Sequence, residues 1–174
     1  YLKEQVIQHL RDRNDCEIVF SKEDAPLGTG GALRNAFSHI KSNDILIMNG
    51  DSYINIILSD YIDWYYKRNY QASIVVTNVT NVHKFGSVRI NSKGFIISFE
   101  EKKISNKSGM VNAGLYLFKA DLLKDIPTKE YYSIEEDFFP KLVSQGLSAY
   151  TCDNDFVDIG SPESYVHASI ILKQ

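Results

Sequence analysis

The stretch ILIMNGD at residues 45–51 constrains the fold more than any other, because an apolar run stops abruptly at Asn49, Gly50 and Asp51. A strand with no polar alternation has no wet face, so the run reads as a buried parallel strand ending at a sheet edge. ASIVVTNV (72–79) and NAGLYLF (112–118) read as two more apolar strands, and CEIVF (16–20) and AYTC (149–152) as short ones.

Helical patterns lie between these strands. Leu2, Val6, Ile7 and Leu10 recur at helical spacing, so residues 1–11 read as an amphipathic helix. Residues 26–31 read as a glycine-rich loop running into a helix through Phe37. DYIDWYYKR reads as a helix capped by Ser59 or Asp60. SVRIN and FIISFEE flank Asn91, Ser92, Lys93 and Gly94 as a hairpin. Ser133 and Glu136 form a capping box opening the helix EEDFFPKLVSQ, which Gly146 ends and Pro140 is expected to kink or break. Ser161 caps a last helix with Pro162 at its first position. Strands alternating with helices give an α/β class with a mainly parallel sheet, the hairpin adding an antiparallel element.

A length of 174 residues suggests one domain with a substantial core. The net charge of −3 argues against a nucleic-acid surface, which usually carries a basic excess. Cys16 and Cys152 belong to no CxxC or Cys/His pattern, so neither a zinc site nor a disulfide framework is expected. Two lone thiols fit a reducing cytoplasm. No apolar run reaches the roughly 18 residues that span a bilayer, so no membrane partner is expected. The N-terminal YLKEQVIQHL has the pattern of neither a signal nor a transit peptide, and it begins without Met inside a helical pattern.

Ligands of open α/β sheets bind beyond the carboxyl ends of the strands, and four segments place polar groups there. In LGTGGALR (27–34), glycines ahead of a helix let backbone N–H groups approach a ligand, although a plain glycine-rich turn looks the same. Asp51 follows an apolar strand, where a carboxylate holds Mg²⁺ or simply caps a turn. In FEEKK (99–103), a Glu can accept sugar hydroxyls and a Lys can pair with a phosphate, or the run is a solvated charge cluster. Nearby, Asn112 offers a bidentate amide and Gly114 room for a ligand, or NAG is only a strand start. Asp158 supplies a second carboxylate to the same metal, or bonds its local backbone.

The ordered set LGTGGAL, NGD, FGSV, FEEK, NAGLYLF and D-x-G-S-P-E-S-Y resembles the family of nucleotidyltransferases that make nucleotide sugars from sugar 1-phosphates. Within it the chain is most similar to the D-glycero-D-manno-heptose 1-phosphate guanylyltransferase group, with mannose- and glucose-1-phosphate enzymes using guanine or another base as cousins. The resemblance implies a Rossmann-like α/β sheet of the nucleotide-diphospho-sugar transferase type. It implies that Gly28, Thr29, Gly30 and Gly31 face the nucleotide, and that Asp51 and Asp158 are Mg²⁺ ligands. It places Gly86, Glu101, Asn112 and Gly114 at the sugar and Lys102 on the sugar phosphate, so Asp51, Lys102 and Asp158 are the expected catalytic residues. The implied partners are a nucleoside triphosphate, GTP favoured, and a sugar 1-phosphate, with pyrophosphate released and the product feeding surface-glycan assembly in the cytoplasm of a bacterium. A non-catalytic binder of sugar phosphates or nucleotides is the reading from a different class.

Family members begin with a strand and a G-x-G-T-R loop followed by a P-K pair, and nothing like it occurs in these residues. The expectation is therefore a single domain over 1–174 lacking its first βαβ segment, inactive by itself and prone to aggregate through exposed strand edges.

Overall fold

The computed structural model describes residues 2–80, 82, 85, 87–100 and 108–172. Two compact units emerge, Tyr1–Ser42 with Ala120–Phe138, and Asn43–Lys119 with Phe139–Gln174.

The first unit carries helices α1 (Lys3–Leu10) and α2 (Gly28–Ala36), a 3₁₀ turn Phe37–His39, a 3₁₀ stretch Ala120–Asp125 and a π-helical turn Ile134–Phe138. The first helix is where the apolar period puts it, but none of its residues is buried. CEIVF does not form the expected strand, and Val19 is exposed. Its β-branched residues favour extension, but a strand is held by its ladder, and no described strand pairs with it. The glycines expected in a loop instead form the first turn of α2.

The second unit is built on a four-stranded sheet of order β1-β6-β3-β7, from β1 (Asp44–Met48), β3 (Ala72–Val79), β6 (Gly109–Lys119) and β7 (Ser148–Cys152). Strand β6 runs antiparallel to both β1 and β3, while β3 and β7 are parallel. Strands β1, β3 and β7 thus share one direction, but with NAGLYLF threaded between two of them in reverse, two of the sheet's three described ladders are antiparallel where a mainly parallel sheet was expected. The strand β1 is not buried on both sides as its apolar run suggested. It pairs only with β6 among the described strands, and Met48 is 65% exposed. Strands β3 and β6, each flanked on both sides, are the ones with continuous buried runs, through Ala72–Thr77 and Ala113–Phe118.

Helix α3 (Leu58–Arg68) covers one face of this sheet. It starts earlier than expected, with Ile57 in the capping position, so Ser59 and Asp60 lie within the first turn rather than capping it. Asp60 there still complements the positive end of the helix. Tyr61 and Tyr65, one turn apart, bury against Val75, Ala113, Leu115 and Leu117, with Trp64, Tyr70 and Tyr150 packed around them. Burial pushes the Tyr61 and Tyr65 hydroxyls well above their ordinary pKa, and each is hydrogen-bonded, Tyr61 with Ser73 Oγ at 2.8 Å and Tyr65 to Asp44 at 3.1 Å. On the other face Phe99, Tyr116, Phe118 and Phe139 form stacked and edge-on ring pairs.

The hairpin forms as read, from β4 (Ser87–Ile90) and β5 (Ile96–Glu100). Asn91 Oδ1 accepts the backbone N–H groups of Lys93 and Phe95, and Gly94 turns at a φ of +84°. The helix expected from Ser133 is divided at Phe138. The π-helical turn precedes α4 (Phe139–Gln145), and Pro140 sits in the first turn of α4, where its missing N–H costs nothing. Ser133 Oγ accepts the Glu136 N–H as expected, but the return bond to the Ser133 N–H comes from Asp137 rather than Glu136. Helix α5 (Pro162–Ile171) has its full box between Ser161 and Ser164.

Among the described residues, no helix is long and apolar enough to cross a membrane. Cys16 is exposed, whereas Cys152 is half-buried with Sγ donating to Val76 O at 3.7 Å, and burial raises its thiol pKa. Iodoacetamide at pH 8 should therefore label Cys16 about tenfold faster than Cys152, because only the thiolate reacts. Mass mapping over time checks this, and equal rates would show the β7 end opening readily.

Candidate functional site

The short ladder between β2 (Ser52–Ile54) and β8 (Phe156–Asp158) brings the two candidate metal ligands together. Ser52 lies opposite Asp158, and the Ile159 N–H donates to Asp51 O at 2.8 Å. Residues far apart in the chain thus become neighbours at one end of a two-stranded ribbon. Asp51 is exposed, and no described residue engages its carboxylate. Asp158 is half-buried, and its Oδ1 accepts the Gly160 N–H at 2.9 Å, which fixes the carboxylate and leaves acceptor sites over. The local backbone bond weighed as the bland reading of Asp158 therefore exists beside its placement next to Asp51.

The same end of the ribbon is tied to the candidate sugar segment. The Asn49 N–H donates to Gly114 O at 2.8 Å, and Ser52 Oγ donates to Ala113 O at 3.4 Å. Strand β6 bulges here, the register against β3 slipping between Ile74 and Val76. Gly114 takes a φ of +75° in that bulge, and a Cβ on it would sit 3.0 Å from Asn49 Nδ2 and also meet Ser52 Oγ. Its glycine is demanded by the close approach of residues 49–52, not by open room. Asn112 Oδ1 accepts the Gly114 N–H at 3.0 Å and its Nδ2 donates to Tyr116 Oη at 2.9 Å, so this amide braces the bulge. Asn49 and Ser52, which sequence reasoning passed over, are the pieces that join Asp51, Asp158 and the bulge. Their position flanking Gly50 and Asp51 was the available signal.

Two carboxylates with no soft ligand are oxygen donors suited to a hard cation, and Mg²⁺ typically takes only one or two carboxylates, completing its shell with water and phosphate. Among the described residues no group of three or more His, Cys, Asp or Glu side chains could hold a metal unaided. The pair fits a metal shared with a phosphorylated ligand.

Gly28, Thr29, Gly30 and Gly31 lie in the first unit, at the start of α2. The N–H groups of Gly30 and Gly31 both donate to Tyr132 O, at 2.9 and 3.1 Å. A Cβ on Gly28 or Gly30 would crowd Tyr132, and one on Gly31 would lie 2.8 Å from Glu130 O. The glycine spacing is therefore explained by docking of residues 130–134, a partner no local pattern reveals. Gly86, Glu101 and Lys102 lie outside the described residues.

The sequence profile of the family described as Nucleotidyl transferase matches residues 1–174. The chain belongs to the nucleotidyl transferase family. This nucleotidyl transferase is 33% identical over 171 residues to D-glycero-alpha-D-manno-heptose 1-phosphate guanylyltransferase of Campylobacter jejuni, covering 96% of the chain and 73% of that protein. It is 26% identical over 159 residues to mannose-1-phosphate guanylyltransferase of Mycobacterium tuberculosis, covering 90% of the chain but 44% of that protein. The crystal structure of HddC from Yersinia pseudotuberculosis complexed with GMP-PN superposes with a TM-score of 0.85 at 29% identity, over 99% of this chain and 75% of that one. The α/β fold read from the sequence is thus that of solved nucleotidyl transferases.

Proposed function

We propose that the protein transfers a nucleotidyl group, GMP, from a nucleoside triphosphate to D-glycero-D-manno-heptose 1-phosphate and releases pyrophosphate. The observation that carries the reaction class is the ribbon that sets Asp51 beside Asp158, braced against the bulge at Asn112–Gly114. The heptose and guanine assignment is supported by the heptose guanylyltransferase similarity and by the GMP-PN complex of the related protein.

A phosphate oxygen of the sugar 1-phosphate attacks the α-phosphorus, the bond to the pyrophosphate oxygen breaks, and pyrophosphate leaves. The attacking oxygen is already an anion, so no side chain needs to remove a proton. What the protein supplies is placement of two mutually repelling anions and relief of their charge. Asp51 and Asp158 would hold Mg²⁺, which when bound would supply charge neutralisation to the phosphates. In this reading Asn112 and Gly114 shape the sugar side, with Gly86 and Glu101 beside the sugar and Lys102 paired with its phosphate. Gly28, Thr29, Gly30 and Gly31 form the nucleotide-facing turn. The whole reaction belongs to one domain in the cytoplasm.

The test is pyrophosphate release by the native protein with Mg²⁺ from GTP, CTP, UTP, dTTP and ATP, against heptose, mannose and glucose 1-phosphates. Turnover confined to GTP with the heptose phosphate is the expected result. Turnover with another pair keeps the mechanism and replaces the substrates. No turnover with any pair, with nucleotide binding indifferent to Mg²⁺, would make the protein a non-catalytic binder.

A further inference from the structure

Thr29 is the one non-glycine side chain in the turn Gly28–Gly31, yet its hydroxyl is already spoken for. Thr29 Oγ1 donates to Glu135 Oε2 at 2.8 Å and accepts the Ile134 N–H at 2.9 Å. Ser133 Oγ donates to the same Glu135 oxygen at 3.1 Å. One carboxylate oxygen therefore gathers two hydroxyls from segments distant in the chain, and bonds to an ionised acceptor are the stronger kind. Glu135 is half-buried, while Thr29 and the bond between them face water. Alongside, Tyr132 O takes the N–H groups of Gly30 and Gly31, and Leu27 O accepts the Tyr132 N–H at 2.8 Å. The start of α2 is fastened by backbone bonds on one side and by the Thr29–Glu135–Ser133 link on the other.

We propose that Glu135 is a positioning residue for nucleotide binding: through Thr29 it sets the conformation of the turn Gly28–Gly31 that receives the nucleotide. This rests on the function proposed above. A threonine whose hydroxyl is consumed internally serves the ligand by where it holds the backbone. The backbone bonds to Tyr132 fix residues 30 and 31, and the Thr29–Glu135 link adds a side-chain tie to the same turn.

In the native protein, Glu135→Ala should raise the KM for the nucleoside triphosphate about five- to tenfold, the scale of one ordinary hydrogen bond open to water. The kcat and the KM for the sugar 1-phosphate should stay within about twofold, because nothing at Asp51 or Asp158 is touched. Glu135→Gln, whose amide oxygen still accepts both hydroxyls, should restore the nucleotide KM. Thr29→Val, which also strips the Ile134 N–H of its acceptor, should raise the nucleotide KM at least as far as Glu135→Ala, and the double variant should be no worse than Thr29→Val alone. Hydrogen exchange supplies a readout independent of turnover: in Glu135→Ala the amides of residues 29–31 should exchange faster while those of β3 and β6 do not. Wild-type turnover with an unchanged nucleotide KM in Glu135→Ala would overturn this inference and leave the proposed reaction standing. Absent wild-type turnover would defeat the reaction itself, and unchanged exchange at residues 29–31 would then defeat the link as well.

Discussion

Asp51→Asn is expected to lower kcat/KM of the native protein about a thousandfold, equivalent to roughly 4 kcal/mol of lost transition-state stabilisation. Asparagine keeps the shape and loses the charge, so a hard cation sees a neutral, poorer ligand at the position where phosphate repulsion has to be offset. The fold should not register the change, because Asp51 is exposed and contributes to the ribbon through its backbone carbonyl, which the substitution retains. Stability in urea should stay within about 0.5 kcal/mol of the parent. Pyrophosphate release and a denaturation curve on the same preparation separate the outcomes. A thousandfold loss at constant stability places the carboxylate in the chemistry. A parallel fall in stability would instead make it a turn cap, the ordinary duty of an aspartate after a strand.

The largest effect on the fold is expected at Gly114. Gly114→Ala combines two penalties: a left-handed backbone at a φ of +75°, and a methyl group forced against Asn49 and Ser52. The conformational part costs roughly 1–2 kcal/mol and the overpacking roughly 1–3 kcal/mol, so a loss of about 3 kcal/mol is expected. Gly50 supplies the control in the same region: its Cβ would meet nothing within 4 Å and its φ is not positive, so Gly50→Ala should be near neutral. Unfolding midpoints in urea, compared at equal slope, measure both. If the two alanines behaved alike, the bulge would be soft and the union of residues 49–52 with β6 looser than its hydrogen bonds indicate. Since that union carries Asp51, surviving Gly114→Ala protein should also bind Mg²⁺-nucleotide more weakly.

Local chemistry made much of this legible in advance. Ala72–Val79 is a strand with the bounds its apolar run gave, the Asn91–Gly94 turn joins the hairpin, and Ser161 with Pro162 opens α5. In each case the deciding forces act within a few residues. What the chain could not disclose was decided by partners elsewhere. CEIVF has strand composition but no described ladder to join. The reversal of β6 leaves no trace in an apolar run, since hydrophobicity says how deep a strand lies and not which way it points. The site divides the same way. The polar end of ILIMNGD announced Asp51, but only the register of β2 on β8 puts Asp158 beside it. The glycines at 30 and 31 read as letting backbone N–H groups reach a ligand, but those N–H groups go to Tyr132 O and the spacing is accounted for by Tyr132 and Glu130.

The reversed position of β6 also sets the order in which this sheet can be made. Strand β1 finds its described partner only when Asp44 meets Lys119, and β3 needs that same strand and then the still later β7 before it is flanked on both sides. A chain leaving the ribosome must therefore carry β1 and β3 unjoined until β6 has emerged to slot between them, and the wait is a matter of seconds at roughly 5–20 residues per second. The closing of that long loop is the entropically costly step, so the rate of folding should be governed by β6 and not by the early helices. The exposed apolar β1 and the buried run of β3 are the surfaces most in need of protection during that interval, which makes nascent chains ending short of residue 119 natural clients for a chaperone.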